Sequence, residues 1–200
     1  MNEAQIFRFE RLRLQRMAAL AKRSGTIADV GFRQCPNPFL ESGNVIGIDP
    51  NATESDLAPN YSDFFSGTLL GYLRAKGEEQ LDAVLAGELI EHLEAPLTFL
   101  RECYLALKPG GRLVLSTPNP NSFIERLLTL TLSRRYFYTI EHISLIPQRW
   151  LVRMMEMAGF SNVRLYSGGF PLPFIGLIPF PRPWCYQTIA TGEKRLANSC

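Results

Sequence analysis

The sequence contains two histidines, and each directly follows a glutamate, in the pairs Glu91-His92 and Glu141-His142. Imidazole titrates close to neutral pH, so a histidine can take a proton from a hydroxyl or ammonium group. It can equally well serve as a structural hydrogen-bonding group. Both histidines are therefore candidates for acid–base chemistry, and the elements that carry them decide between these roles.

Acids and glycines follow short apolar runs of the sequence. The runs and the residues that end them are Thr26–Val30 before Gly31, Asn44–Ile48 before Asp49, Asp63–Ser66 before Gly67, Leu81–Ala86 before Gly87-Glu88, and Arg112–Ser116 before Thr117-Pro118. Short apolar runs bounded by glycine or proline are typical of parallel strands buried on both faces. In such a sheet, ligands bind beyond the carboxyl ends of the strands, where these acids and glycines lie.

Helical patterns accompany the strands. A basic amphipathic helix is predicted over residues 4–23, and two further helices from Pro96 to Leu107 and from about Pro147 to Ala158. Strands that alternate with helices indicate a parallel sheet covered on both sides.

The C-terminal part differs, because no helical pattern separates Asn162–Tyr166 from Tyr186–Thr191, and these strands should pair antiparallel. The fold class is therefore α/β, a Rossmann-like doubly wound sheet, mostly parallel with an antiparallel C-terminal edge hairpin. Residues 1–200 form one domain, in which residues 1–24 are the N-terminal helix.

Two longer stretches of the chain resemble a known family. The stretch LDAVLAGELIEHLEAPLTFLRECYLALKPGGRLVLSTPNPNSF resembles the middle of class I S-adenosylmethionine-dependent methyltransferases of type 11, and EHISLIPQRWLVRMMEMAGFSNVRL resembles a later segment of that family. With IADVG and VIGIDP, the resemblance covers roughly residues 26–167. It implies an enzyme that binds S-adenosylmethionine and transfers its methyl group to an acceptor.

The resemblance assigns the first cofactor contacts to two strand ends. Asp49 stands where a carboxylate accepts hydrogen bonds from both ribose hydroxyls, although a solvated turn residue before Pro50 is the alternative. Gly31 lets the backbone pass close to the cofactor. Asp29 stands where the first motif of the family has an acid that acts on the methionine end through the loop or through water.

Further contacts are implied after the third and fourth strands. Thr68 and Leu69 follow the third strand, where the family usually has an acid on the adenine amino group; the Thr68 hydroxyl is a weaker substitute or a plain strand-end residue. Ala86 and Gly87 are small and leave room for the sulfonium and the methionine chain. Glu88 either attracts the cationic part of the cofactor or caps a helix, and both interpretations remain open.

The first loop departs from the family pattern. The family has a glycine-rich D-x-G-x-G-x-G loop, whereas this chain reads DVGFRQCPNPFL, in which only Gly31 remains. Either a loop of different shape holds the cofactor, with Gln34 or Asn37 replacing backbone contacts, or cofactor binding is weak or lost. The sequence favours the first interpretation because the other motifs are retained.

The resemblance places the acceptor pocket between the fifth strand and the next helix. His142 follows that segment and is therefore a candidate general base or substrate contact. His92 should lie at the start of a helix that packs on the sheet, so for it we favour a structural hydrogen-bonding role over a catalytic one.

Residues 118–146 are longer than a strand-to-helix connection requires. Their apolar residues, the pair Arg134-Arg135 and the aromatic run from Tyr136 to Tyr138 predict a lid over the acceptor site, with a packing insert as the alternative. Together with the proline-rich apolar loop 168–184, this segment suits a lipid-linked, quinone-like or glycan acceptor near a membrane. It equally suits a homodimer interface.

Composition narrows the class of protein. The net charge of +2 gives no argument for a nucleic-acid partner. The four cysteines show no paired spacing, which favours reduced thiols and predicts no metal site. No apolar run reaches the length of a membrane span, and Glu3 and Glu10 stand where a signal peptide is apolar, so we expect a cytoplasmic protein.

Three functions compete on these observations. The leading one is methylation of a small-molecule, glycan or lipid-linked acceptor. The second is a non-catalytic relative that serves as a binding or scaffold protein, which the altered loop supports. The third, a nicotinamide-dependent reductase, lacks the G-x-G-x-x-G motif that it needs after the first strand.

Overall fold

The computed structural model describes residues 3–21, 25–41, 43–131, 142–172 and 175–196. The helices are α1 (Glu3–Leu20), α2 (Leu69–Lys76), α3 (Pro96–Ala106), α4 (Phe123–Thr131) and α5 (Gln148–Met157). The strands are β1 (Thr26–Val30), β2 (Asn44–Asp49), β3 (Asp63–Ser66), β4 (Leu81–Gly87), β5 (Leu107–Pro118), β6 (Ser161–Ser167), β7 (Phe170–Leu172), β8 (Gly176–Ile178) and β9 (Gln187–Glu193).

Seven of the described strands form one sheet in the order β3-β2-β1-β4-β5-β9-β6. Strands β1 to β5 run parallel, and β9 lies antiparallel between β5 and β6. The chain winds outward from β1 in one direction and from β4 in the other, so the switch point of the sheet lies between these two strands. The Rossmann-like fold and the antiparallel C-terminal pair are confirmed; β6 is the edge strand, and β9 joins the pair to β5.

Alternating side chains of the central strands enter two separate cores. In β4, Ala83 and Leu85 pack on one face of the sheet, and Val84 and Ala86 pack on the other, all of them fully buried. Helices α3 and α5 cover the second face, while Met17 of α1 contributes to the first. Burial on both faces explains why these strands read as continuous apolar runs.

Several local expectations need correction. Helix α1 ends at Leu20 rather than at residue 23, and β5 begins at Leu107 because the Lys108-Gly111 segment continues as strand. The sequence analysis did not predict α2. The region expected to be a loop at 168–184 contains the antiparallel strands β7 and β8, which pack beside α1.

The expected lid is described only in part. Helix α4 follows β5 directly, and the chain is described again from His142 onward. Arg134, Arg135 and the aromatic run from Tyr136 to Tyr138 lie outside the described residues, so the lid remains a prediction. None of the helices described here combines the length and apolarity needed to cross a membrane.

Candidate active site

Three adjoining cavities open at the carboxyl ends of β1, β2 and β4. Their volumes are about 340 Å³ for a polar cavity beside α1, about 330 Å³ for an apolar cavity between α2 and α3, and about 450 Å³ for a central cavity. Gly31 lines all three, so they adjoin one another at the end of β1 and are together called the cleft. This is the edge of the sheet at which the sequence analysis places the ligand.

The apolar cavity lies beyond β2 and β3. Its walls include Ile48, Leu69 and Phe99, all buried, which suit a flat apolar ring system. Asp49 ends β2 at the boundary with the central cavity, and its Oδ1 accepts a hydrogen bond from the backbone N–H of Asn51 at 2.9 Å. That bond orients the carboxylate at the position where the sequence predicts a ribose contact.

Thr68 also lines the apolar cavity, but its hydroxyl has a structural partner. It is the N-cap residue of α2, and its Oγ1 accepts the backbone N–H of Gly71 at 3.1 Å. Capping of this kind satisfies one of the free N–H groups at a helix start. A hydroxyl can make further hydrogen bonds, so capping and a contact with adenine are compatible.

The polar cavity has buried charges of both signs. Arg13 of α1 is 3% exposed, pairs with Glu10, and donates from Nη1 to the Ser116 hydroxyl oxygen at 3.0 Å. The Ser116 hydroxyl donates in turn to Oε1 of Glu88 at 2.8 Å. Asp29, which is 6% exposed, lines the same cavity. One guanidinium and three carboxyl groups, those of Glu10, Asp29 and Glu88, line this cavity and suit a zwitterionic amino-acid moiety.

Ala86 and Gly87 were both expected to leave room for the cofactor, and Gly87 does line the polar and central cavities. A Cβ atom at Gly87 would lie 2.5 Å from Nη1 of Arg13, so this glycine admits the arginine rather than the cofactor alone. Ala86 is fully buried in the core and lines none of the three cavities. The small size of Ala86 and Gly87 therefore allows the close packing that shapes the cleft.

Glu88 lies within the cleft and does not cap a helix. The 3₁₀ turn that follows, Ile90–His92, has Leu89 as its N-cap residue. Glu88 itself adopts a φ of 50°, and its N–H donates to the backbone oxygen of Ser116 at 3.1 Å. Burial raises the pKa of its carboxyl group. Left-handed backbone at a non-glycine residue is uncommon, and here it turns the carboxyl group toward Ser116 and Arg13.

The altered loop after β1 is a single 3₁₀ turn, Phe32–Gln34, rather than an open glycine loop. Phe32 is fully buried against Gly47, where a Cβ atom would lie 2.5 Å from its ring. Gln34 lines the polar and central cavities, as one interpretation of the sequence requires. Asn37 is 2% exposed and donates to the backbone oxygen of Leu14 at 3.0 Å, so its amide group joins the loop to α1.

The two histidines lie together, and one of them lines the central cavity. Their ring centroids are 4.6 Å apart with the planes at 70°, and His92 lines the cavity beside Glu88 and Leu89. His92 ends a 3₁₀ turn before α3 instead of starting that helix, and the structural hydrogen-bonding role favoured for it stays a prediction. Whether either histidine acts in catalysis remains a prediction.

Glu91 completes this cluster, which is defined here as the Glu-His-His cluster of Glu91, His92 and His142. One ligand atom from each residue lies within 4.8 Å of the others. Glu91 is fully buried, and burial together with the nearby Glu88 raises its pKa to about 8. The backbone oxygen of Glu91 accepts the N–H groups of Ile143 and Ser144, both at 3.1 Å, which joins this segment to the 3₁₀ turn Ile90–His92. The spacing suits a shared proton, and it would also suit a divalent ion.

Sequence reasoning missed three residues in or beside the cleft. Arg13 is one of several arginines on α1, and nothing in the helical pattern distinguishes the one that turns inward. Glu91 was noted only as a neighbour of His92. Tyr61 lies just before a weak strand, where no motif marks it.

Comparison with known proteins places the chain in a family. A family model for a methyltransferase domain matches residues 5–165. The ubiquinone biosynthesis O-methyltransferase of Rhodopseudomonas palustris (strain BisA53) is 39% identical over 90 residues, which are 42% of this chain and 35% of that protein. The mitochondrial enzyme of the same name from Rattus norvegicus is 35% identical over 85 residues, 38% of this chain and 25% of that protein. The chain thus spans only about a third or less of these relatives.

Solved structures share the fold over nearly the whole chain. A Thermotoga maritima S-adenosylmethionine-dependent methyltransferase, described as a possible histamine N-methyltransferase, has a TM-score of 0.75 at 20% identity and covers 95% of this chain and 91% of its own. An Archaeoglobus fulgidus methyltransferase has a TM-score of 0.67 at 18% identity, covering 96% and 100%. With the family match and the cleft at the switch point, the chain belongs to the class I S-adenosylmethionine-dependent methyltransferases.

Proposed function

We propose that this chain transfers a methyl group from S-adenosylmethionine to a phenolic oxygen of a lipid-tailed small molecule. The observation that carries the proposal is the set of three adjoining cavities: an apolar cavity, a charged cavity, and a central cavity lined by the Asp49 carboxylate and by His92 of the histidine pair. Adenine fits the apolar cavity, Asp49 accepts the ribose hydroxyls, and Arg13 binds the methionine carboxylate. Asp29 and Glu88 attract the ammonium group. The donor groups therefore fit the cofactor of the family.

The histidine pair supports an oxygen acceptor. S-Adenosylmethionine supplies a methyl group on a cationic sulfur, which is already activated for displacement. The chain must then hold the acceptor in line and remove the hydroxyl proton. In this proposal His142 takes that proton as the oxygen forms its bond to the methyl carbon, and the carbon–sulfur bond breaks with its electron pair left on sulfur. The two relatives named for ubiquinone biosynthesis are O-methyltransferases, which agrees with this choice of atom.

Exposed apolar residues around β5 support the lipid tail. Phe123 and Leu127 of α4 are 63% and 52% exposed, and Ile143 beside His142 is 57% exposed. Trp184 is 55% exposed, and its segment is joined to the end of β5 because Asn119 donates to the backbone oxygen of Pro183 at 3.2 Å. A surface of this kind can receive a hydrophobic tail, and contact with a membrane surface is an extension of the same proposal.

Labelled methyl transfer tests the acceptor. A catechol with a polyprenyl tail, the same catechol without the tail, and an aromatic amine of equal size are compared with radiolabelled S-adenosylmethionine. We expect label on oxygen, with a lower Michaelis constant for the tailed catechol. Preference for the amine would overturn the choice of acceptor atom, and equal Michaelis constants would overturn the lipid tail.

A binding protein without catalysis is the second candidate, and the altered loop favours it. This second candidate requires that the folded chain methylates no acceptor of any class. Titration with S-adenosylhomocysteine separates the cases, since a cofactor-free relative would not bind this product.

A further inference from the structure

The hydroxyl group of Tyr61 lies between the end of β1 and the altered loop. It donates a hydrogen bond to the carboxylate of Asp29 and accepts one from the backbone N–H of Asn37 at 2.8 Å. Tyr61 is 5% exposed, and it lines none of the three cavities. One buried hydroxyl thus joins a residue of the cleft to the loop beside it, without facing the cleft itself.

The segment before β3 holds the loop at further points. The rings of Tyr61 and Phe32 pack with their centroids 5.5 Å apart. Next to Tyr61, Asn60 donates from its amide group to the backbone oxygens of Asn37 at 3.0 Å and Leu40 at 3.3 Å. The loop is therefore fixed from outside, by side chains of another segment. In a glycine-rich loop the backbone itself supplies the shape.

We infer that Tyr61 is a positioning residue for the cofactor, which acts through Asp29 and Asn37 and does not touch the bound molecule. The inference rests on the proposed function, because it concerns how the polar cavity binds the methionine end. It adds to that function a device outside the cleft that compensates for the missing glycines. Removing the hydroxyl takes one acceptor from the Asn37 N–H and one donor from Asp29, while the ring still packs on Phe32.

The same hydroxyl acts on the charge of Asp29. Burial raises the pKa of Asp29 to about 6, while hydrogen bonds from Tyr61 and Asn37 and the charge of Arg13 oppose the rise. Cys35 also faces this carboxylate, and burial raises the pKa of its thiol, which keeps it neutral. An ionised Asp29 attracts the ammonium of the cofactor, so affinity should fall as the pH falls through the pKa of Asp29. Loss of the Tyr61 donor should move that fall to higher pH.

Calorimetric titration with S-adenosylhomocysteine between about pH 5 and pH 8 tests the inference. The variants are Tyr61→Phe, Asp29→Asn, the double variant, and Tyr72→Phe as the matched control. Tyr72 is a buried tyrosine of α2 whose ring contacts Phe65 and which lines none of the three cavities. We expect Tyr61→Phe to weaken binding about tenfold at neutral pH, the size of a lost buried hydrogen bond. The pH at which the affinity has fallen by half should shift upward in Tyr61→Phe. Tyr72→Phe should change neither the affinity at neutral pH nor this half-point.

The pH profile separates positioning from a merely structural role. In the Asp29→Asn background the effect of Tyr61→Phe on the pH dependence of binding should vanish, and any pH dependence that remains comes from other groups, among them Glu88 and Glu91. Unchanged affinity, or an equal loss at every pH, would overturn the inference. If the wild-type protein binds no S-adenosylhomocysteine at any pH, the proposed function fails. Carboxyl NMR of the ligand-free protein then still shows whether Tyr61→Phe raises the pKa of Asp29, and an unchanged value contradicts the coupling.

Discussion

The proposed cofactor side and the proposed acceptor side of this protein are built from different kinds of structure. On the proposed cofactor side Asp29, Asp49 and Glu88 lie at or next to the carboxyl ends of strands, and each accepts a hydrogen bond from a nearby residue. On the acceptor side, α4 and the segment near Trp184 expose large apolar side chains. The strand ends determine where the groups of the proposed cofactor side lie. The proposed acceptor side is formed instead by α4 and by segments that connect strands. The cofactor side should therefore set affinity for the product, and the acceptor side should set turnover and acceptor choice.

The largest effect expected is on the acceptor side. His142→Ala should lower turnover about a hundredfold with a hydroxyl acceptor, because the proton then has no base, while affinity for S-adenosylhomocysteine stays the same. Steady-state rates and calorimetry on the same preparation measure both quantities. A chelator serves as the control: loss of wild-type activity on chelation would assign the Glu-His-His cluster to a metal ion instead. Loss of product affinity in the variant would break the division between the two sides.

A smaller effect is expected at the ribose position. Asp49→Ala should weaken product binding at least about tenfold, roughly 1.4 kcal/mol, as expected for a charge-assisted hydrogen bond. Asp63→Ala is the matched control, because it removes an exposed carboxylate at the opposite end of a neighbouring strand. Equal affinities of the two variants would remove Asp49 from the cofactor site.

The smallest effect concerns stability. The folded state raises the pKa of Asp29 to about 6, so its ionisation costs stability once the pH rises through that value. Asp29→Asn removes this cost and should raise the melting temperature by about 3 °C at pH 7.5, with a smaller gain at pH 5. The same variant should bind S-adenosylhomocysteine more weakly. Thermal unfolding at both pH values measures the gain, and a variant that is less stable at pH 7.5 would contradict the assignment.

The sequence alone predicts the parallel strands and the edge at which ligands bind. Periodicity and the glycines or prolines at the ends of each run identify β1, β2, β4 and β5, because burial on both faces leaves a continuous apolar run. The positions of Asp49 and Gly31 follow from that, since the carboxyl ends of parallel strands share one edge. Helix α2 was missed because Leu69–Lys76 is short and its apolar residues give only a weak pattern.

Contacts between distant segments could not be predicted in the same way. Arg13 reaches Ser116 across 103 positions of sequence, and Tyr61 reaches Asp29 across 32. No local pattern encodes such contacts. His92 was expected at the start of a packed helix, because the extra 3₁₀ turn at Ile90–His92 was not foreseen. That turn brings His92 into the cleft beside His142.

The central claim is that this cleft binds the family cofactor although the first loop has lost its glycines. Titration of the wild-type chain with S-adenosylhomocysteine, and in parallel with NAD and NADP, tests it most directly. We expect one molecule of S-adenosylhomocysteine to bind per chain with a dissociation constant in the micromolar range or lower. Neither NAD nor NADP should give measurable heat. Absence of product binding to the folded chain would contradict the claim, and micromolar binding of a nicotinamide cofactor would contradict it equally.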